Sequence, residues 1–185
     1  NPNLNNVTIT NNTTSNSGGG IYCGDNSGPT FTNCIIKDNT TALQGGGIAI
    51  LWGSANLKGC RIINNTVIGT SGGDGGGGIS VFNSNVQIDS SIVAHNSESQ
   101  NDGGGLLVRS SGGSSSITIT NSVFYSNTSV DEGGAINIDG GNSSGSIVNT
   151  ICWNNSAGSN WNEINVGNSG ENVDVSYCDI EGGYY

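Results

Sequence analysis

Apolar residues recur at three fixed places along this chain, and each place repeats with the same period. The first lies three residues before an asparagine: Ile9, Ile36, Ile62, Val93, Phe124 and Cys152 precede Asn12, Asn39, Asn65, Asn96, Asn127 and Asn155, which are spaced by 27, 26, 31, 31 and 28 residues. The second, which in the first five units follows a triplet of small residues, holds Ile21, Ile48, Ile79, Leu106, Ile136 and Ile164, spaced by 27, 31, 27, 30 and 28. The third lies eight residues before each asparagine and holds Leu4, Phe31, Leu57, Ile88, Ile119 and Ile147, with Val175 continuing it. Independent registers that agree on one period mark a repeat whose units bury their apolar side only by stacking.

Inside each unit the apolar positions alternate, as in Ile79-Ser80-Val81 and Ile136-Asn137-Ile138, and again in Val123-Phe124 and Val86-Gln87-Ile88. A period of two is the mark of a strand with one face inward, and no stretch has helical periodicity. Three short strands per coil of about 28 residues predict an all-β parallel β-helix solenoid of six to seven coils. At about 4.8 Å per coil the stack would span roughly 30 Å. Residues 1–185 read as a single domain. Because the chain starts in mid-coil, the expectation is a piece of a longer surface protein or a stacking subunit.

Composition narrows the function classes. The chain has 32 Gly, two Pro and an excess of Asn, Ser and Thr, which alone would suggest disorder. The registered apolar columns overrule that reading. A formal charge of −10, with only Lys37, Lys58, Arg61 and Arg109 as cations, argues against nucleic acid and anionic lipid as partners. No apolar run is long enough to span a bilayer, so direct membrane insertion is not expected. Acidic, Lys-poor, Thr/Asn/Ser-rich composition suits an extracellular or cell-surface location. The five cysteines form no CxxC pair and read as small buried thiols, with a bridge between neighbouring Cys34 and Cys60 left open.

The triplets Gly18–Gly20, Gly45–Gly47, Gly76–Gly78 and Gly103–Gly105 precede the same strand each time and read as a stacked corner. The asparagines Asn12, Asn39, Asn65, Asn96, Asn127 and Asn155 read as an inward ladder at a turn. There the side chain tolerates left-handed backbone and its amide bonds to copies above and below.

Three groups carry candidate chemistry. Asp74, Asp102, Asp131 and Glu132, beside Gln44 just before the glycine corner, offer stacked oxygens that could hold calcium, the one cofactor considered. The alternative for them is a solvated loop edge. Tyr125 and Trp153, each two residues before a ladder asparagine, offer outward rings for sugar faces. Arg61 and Lys58 lie close together, but their column neighbours are Ile35, Ile92, Thr32 and Asp89. Neither a lyase's calcium cluster and base nor a hydrolase's carboxylate pair is evident. His95, in a column with Asn11, Asp38, Asn64, Ser126 and Asn154, reads as a turn residue.

Phe124-Tyr125-Ser126-Asn127 followed by Gly133-Gly134-Ala135-Ile136 resembles the paired FxxN and GGAI repeats of the chlamydial polymorphic outer membrane proteins. The second coil keeps that layout in degenerate form as Ile36-Lys37-Asp38-Asn39 and Gly45-Gly46-Gly47-Ile48. The resemblance implies a right-handed, pectin-lyase-like β-helix of the autotransporter-passenger type, serving as a surface adhesin. The expectation is therefore a non-catalytic extracellular scaffold, with a cell-surface glycan or a host or neighbour-cell protein as partner. A polysaccharide lyase or hydrolase is the alternative, and a head-to-tail filament subunit the third reading. The fold alone does not choose between them.

Overall fold

The computed structural model describes residues 1–69, 75–159, 161–167 and 170–182. These residues form a parallel β-helix of 24 strands in four sheets, with no helix among them. The chain passes through the sheets in a fixed order. The first sheet stacks seven strands, from Asn3–Asn5 and Thr30–Thr32 up to Asn172–Ser176, and the second stacks seven, from Thr8–Thr10 up to Asp179–Ile180. The third has four two-residue strands, Thr13–Thr14, Thr40–Thr41, Thr66–Val67 and Ser97–Glu98. The fourth has six, from Ile21–Cys23 up to Ile164–Val166.

The sequence pattern anticipates three of these strands in each coil. The third-sheet strand escapes it because two residues are too short to show an alternation. Every apolar register is realised: Leu4 pairs Phe31, Ile62 pairs Ile36 and Val93, and Ile79 pairs Ile48 and Leu106. Each column is therefore a stack of like side chains. Phe31, Leu57, Ile88, Ile119 and Ile147 fill one side of the interior, and Ile36, Ile62, Val93, Phe124 and Cys152 another. Each such large aliphatic or aromatic side chain contributes about 1.5–3 kcal/mol by leaving water.

The corners follow from sterics. A Cβ on Gly46 would sit 2.2 Å from the carbonyl oxygen of Gly77, and one on Gly77 would sit 2.5 Å from that of Gly104. Both clashes are with backbone, so no side chain can yield and the second triplet position must stay glycine. The left-handed turn residue is not the ladder asparagine but the one before it: Asn11, Asp38, Asn64, His95, Ser126 and Asn154 have φ between 52° and 57°. These residues take the strain, while the ladder asparagines point inward.

Candidate functional site

The ladder forms as its spacing requires. The amide Nδ2 of Asn65 donates to Asn96 Oδ1 at 3.0 Å, that of Asn96 to Asn127 Oδ1 at 3.0 Å, and that of Asn127 to Asn155 Oδ1 at 2.9 Å. Each backbone N–H of these rungs donates to the same oxygen, and each Nδ2 also reaches a strand carbonyl such as Ile36 or Ile62. Asn12 and Asn39 continue the series below. Above Asn155 the acceptor changes. Glu163, only 6% exposed, stands where earlier coils have Gly20, Gly47, Gly78, Gly105 and Ala135, and it turns its carboxylate into the ladder. Its Oε1 and Oε2 take the backbone N–H and the Nδ2 of Asn155 at 3.2 and 2.6 Å. Burial pushes the Glu163 carboxyl above its ordinary range, against the lowering effect of the Asn155 bonds.

A second inward column was legible only as small residues, and it too is a polar ladder. Cys60 N–H donates to Ser91 Oγ at 3.0 Å and Ser91 N–H to Ser122 Oγ at 3.1 Å. The hydroxyls of Ser91, Ser122 and Thr150, and the thiols of Cys34 and Cys60, turn back to strand carbonyls. All five cysteines are free, so the Cys34–Cys60 bridge left open by spacing is not formed. Burial pushes the Cys23 thiol up to about 11 and raises Cys60 and Cys152 as well, so all three stay protonated.

The outer faces of the sheets differ. That of the first is hydroxyl- and amide-rich, as in Thr30, Thr32, Asn56, Thr118 and Thr120. That of the fourth is exposed at Tyr22 but covered in the coils above it, since Ala49, Ser80, Leu107 and Asn137 are buried although they alternate with core residues. The outer face of the second is polar in its first coils, with Thr8, Thr10, Lys37 and Arg61, and mostly apolar and exposed in the later ones. On it Tyr125 pairs Trp153 in register, 40% and 44% exposed, with Ile151 and Ile92 exposed beside them. His95, in the turn one residue beyond the register partner of Tyr125, sets its ring edge-on to Tyr125 at 5.5 Å and 87°. The two predicted aromatic residues are thus brought together on one surface, and His95 is added to them.

The acidic column is rearranged. Gln44 bridges to Gly75, so glycine and not Asp74 fills that rung; Asp74 itself lies outside the described residues. Asp102 and Glu132 do adjoin, yet both are already engaged. Asp102 Oδ2 pairs Arg109 Nη2 at 3.1 Å and Oδ1 accepts the Glu132 N–H at 3.0 Å, while Glu132 Oε2 accepts from Asn165 Nδ2 at 2.8 Å. Asp139, the register partner of Arg109, pairs the same Nη2 at 3.4 Å. Asp131 is exposed and acts on Asp102 and Glu132 through its charge. Burial, and then the neighbouring negative charges, push Glu132 upward; burial also raises Asp102 against the pull of Arg109. Among the described residues no group of three His, Cys, Asp or Glu side chains is disposed to hold a metal ion.

Sequence reasoning missed this carboxylate network because Asp102 and Arg109 lie on either side of one strand, seven residues apart, and Asp139 comes from the next coil. The signal available was the register pairing of Arg109 with Asp139. The buried Glu98 was missed too: its Oε2 accepts the N–H groups of Gln100 and Asn101, and burial raises its carboxyl.

Residues 2–74 match the family described as right handed beta helix region, which agrees with the coils seen here and gives the stack its hand. No curated protein and no solved structure matches the chain.

Proposed function

We propose that this β-helix is a non-catalytic scaffold of the cell surface or extracellular space that binds sugar chains along the outer face of its second sheet. The observation that carries the reading is the pair Tyr125 and Trp153, on adjacent rungs, in register and half exposed. Rings one rung apart, about 4.8 Å, present a flat apolar strip on which successive sugar faces can lie, with polar ring edges free for hydroxyls. Lys37 and Arg61 occupy the same face nearer the start of the chain. The resemblance of the fifth coil to surface-adhesin repeats supports the adhesive role. In a glycan-array or calorimetric screen of neutral and uronic-acid oligosaccharides, the protein should retain at least one class. Trp153→Ala should weaken that binding by about tenfold or more. Retention that ignores both Trp153→Ala and Tyr125→Ala would remove the strip as the binding surface.

The network of Asp102, Arg109, Glu132 and Asp139 supports a second reading, cleavage of a polysaccharide, because Glu132 is pushed toward the range of a general acid. Against it, Asp102 and Asp139 share one guanidinium, Glu132 is held by Asn165, and a hydrolase needs its carboxylates on either side of an open bond site. The protein should therefore leave acidic and neutral glycans uncut. Turnover that disappears in Glu132→Gln would reverse the assignment.

A further inference from the structure

At the corner between the fourth and first sheets an aromatic side chain stands where the backbone asks for something else. Trp52 follows the strand Ile48–Leu51 and has φ 56°, in the left-handed region. In the next coil, where Phe82 is the register partner of Leu51, the residue that follows is Asn83, with φ 46°. Asparagine is the ordinary occupant of that conformation; a bulky residue there is an outlier that costs on the order of 1–2 kcal/mol. Packing does not explain the choice, since Asn83 makes the same turn and 51% of Trp52 is exposed to water.

What the turn does is fix the main chain that carries the indole. The Trp52 N–H donates to Phe82 O at 3.0 Å and its carbonyl accepts the Asn26 N–H at 2.8 Å, so the backbone is held from the coils on both sides. The ring meets that of Phe82 edge-on at 5.2 Å and 76°. It borders a shallow recess of about 530 Å³ whose other walls are Asp25 and Asn26, both exposed. A half-exposed indole on a strained, doubly bonded turn, beside a carboxylate and an amide, is a set of groups suited to a ligand. We propose that this corner is a second saccharide site, taking a neutral pyranose unit. Its apolar C–H face lies on the Trp52 ring and its hydroxyls bond to the Asp25 carboxylate and the Asn26 amide. The ligand is neutral because Asp25 and the net charge of −10 oppose an anionic sugar. The site stands apart from Tyr125 and Trp153 and does not depend on them.

The experiment uses the full chain with Trp153→Phe and Trp161→Phe, which leaves Trp52 as the only indole. Titration with neutral β-linked glucose, mannose and N-acetylglucosamine oligosaccharides should give a saturable change in Trp52 fluorescence with at least one of them. Asp25→Ala should weaken it by about tenfold. Trp52→Asn, which suits the turn and should keep or raise the melting temperature, should abolish the same binding by calorimetry. Tyr125→Ala should leave it unchanged, so failure here and failure of the second-sheet strip are separable. The proposal is overturned if, in chains that also carry Tyr125→Ala and Trp153→Ala and so lack the second-sheet strip, calorimetric binding survives Trp52→Asn, or if none of the sugars shifts the fluorescence. A response only to choline or another organic cation would also overturn it and make the corner a cation–π site.

Discussion

Two columns of side chains run up this stack two residues apart in every coil. The inward one is Asn12, Asn39, Asn65, Asn96, Asn127 and Asn155. The outward one, at the end of each second-sheet strand, is Thr10, Lys37, Ile63, Ala94, Tyr125 and Trp153. One column never varies and the other never repeats. Inside, the partner of each side chain is its own copy one coil away, and a changed residue strands polar groups on both sides. Outside, Ala94 apart, the side chains meet water, and any residue that tolerates a strand will serve. Repetition therefore marks what holds the coils together, and a break in repetition on an open face marks where a ligand can be recognised.

The hardest blow to this comparison falls on the inward column. Asn96 Oδ1 accepts from both the backbone N–H and the Nδ2 of Asn65, at 2.9 and 3.0 Å, and its own Nδ2 serves Ile62 O and Asn127 Oδ1. Asn96→Leu keeps the branched shape of the side chain but leaves these groups buried without partners, each worth about 1–3 kcal/mol. A net loss of about 2–4 kcal/mol is expected, with a fall in melting temperature of roughly 5–15 °C. If thermal denaturation followed by circular dichroism shows no shift, the ladder contributes nothing and the contrast between the columns collapses.

The next largest effect lies where the ladder changes chemistry. Glu163→Ala removes both acceptors of Asn155 and should cost about 1–3 kcal/mol. Glu163→Gln keeps an acceptor and removes the charge, so its effect depends on pH. The folded Glu163 carboxyl is raised above its ordinary value of 4.5, which means the folded state holds the proton more tightly than the unfolded chain does. Its stability contribution is full below that ordinary value and is lost as pH rises through the raised folded value. Wild type should therefore lose stability relative to Glu163→Gln as pH climbs from below 4.5 to neutral. Glu98, Asp102 and Glu132, also raised by burial, slope the same way in both proteins and cancel in the difference. A gap between the two melting curves that stays flat from acid to neutral pH would mean that Glu163 does not titrate inside the ladder.

How far the sequence could be read follows the same division. The ladder and the three apolar columns, each repeated six times, and the glycine triplets, repeated four times, were legible because repetition averages out local ambiguity. The third-sheet strands were not, since two residues carry no period. The turn position was displaced by one residue: an asparagine column and the column before it, also rich in Asn, look alike until φ is known. Asp74 was set one place out because the triplets Gly45–Gly47 and Gly76–Gly78 align Gln44 with Gly75. Arg109 with Asp102 and Asp139, Glu163 beneath Asn155, and Trp52 over Asp25 each occur once. A single occurrence gives no register to read, whether the contact lies within one coil, as Asp102–Arg109 and Asn155–Glu163 do, or between coils, as Arg109–Asp139 does.

The smallest effect on stability is expected where the effect on recognition should be greatest. Trp153 lies on an open face; 44% of it meets water, and its strand hydrogen bonds do not depend on the ring. Trp153→Ala should change stability by about 0.5–1 kcal/mol at most, several-fold less than Asn96→Leu. The same substitution is the one that should weaken sugar binding by about tenfold. Measured together, the pair separates the columns on two axes: Asn96→Leu costs stability and, once folded at low temperature, leaves binding intact, whereas Trp153→Ala does the reverse. If Trp153→Ala instead lowers the melting temperature as much as Asn96→Leu does, the outward ring is holding its coil to the next. The aromatic pair would then belong with the structural columns, and the sugar strip would lose the observation on which it rests.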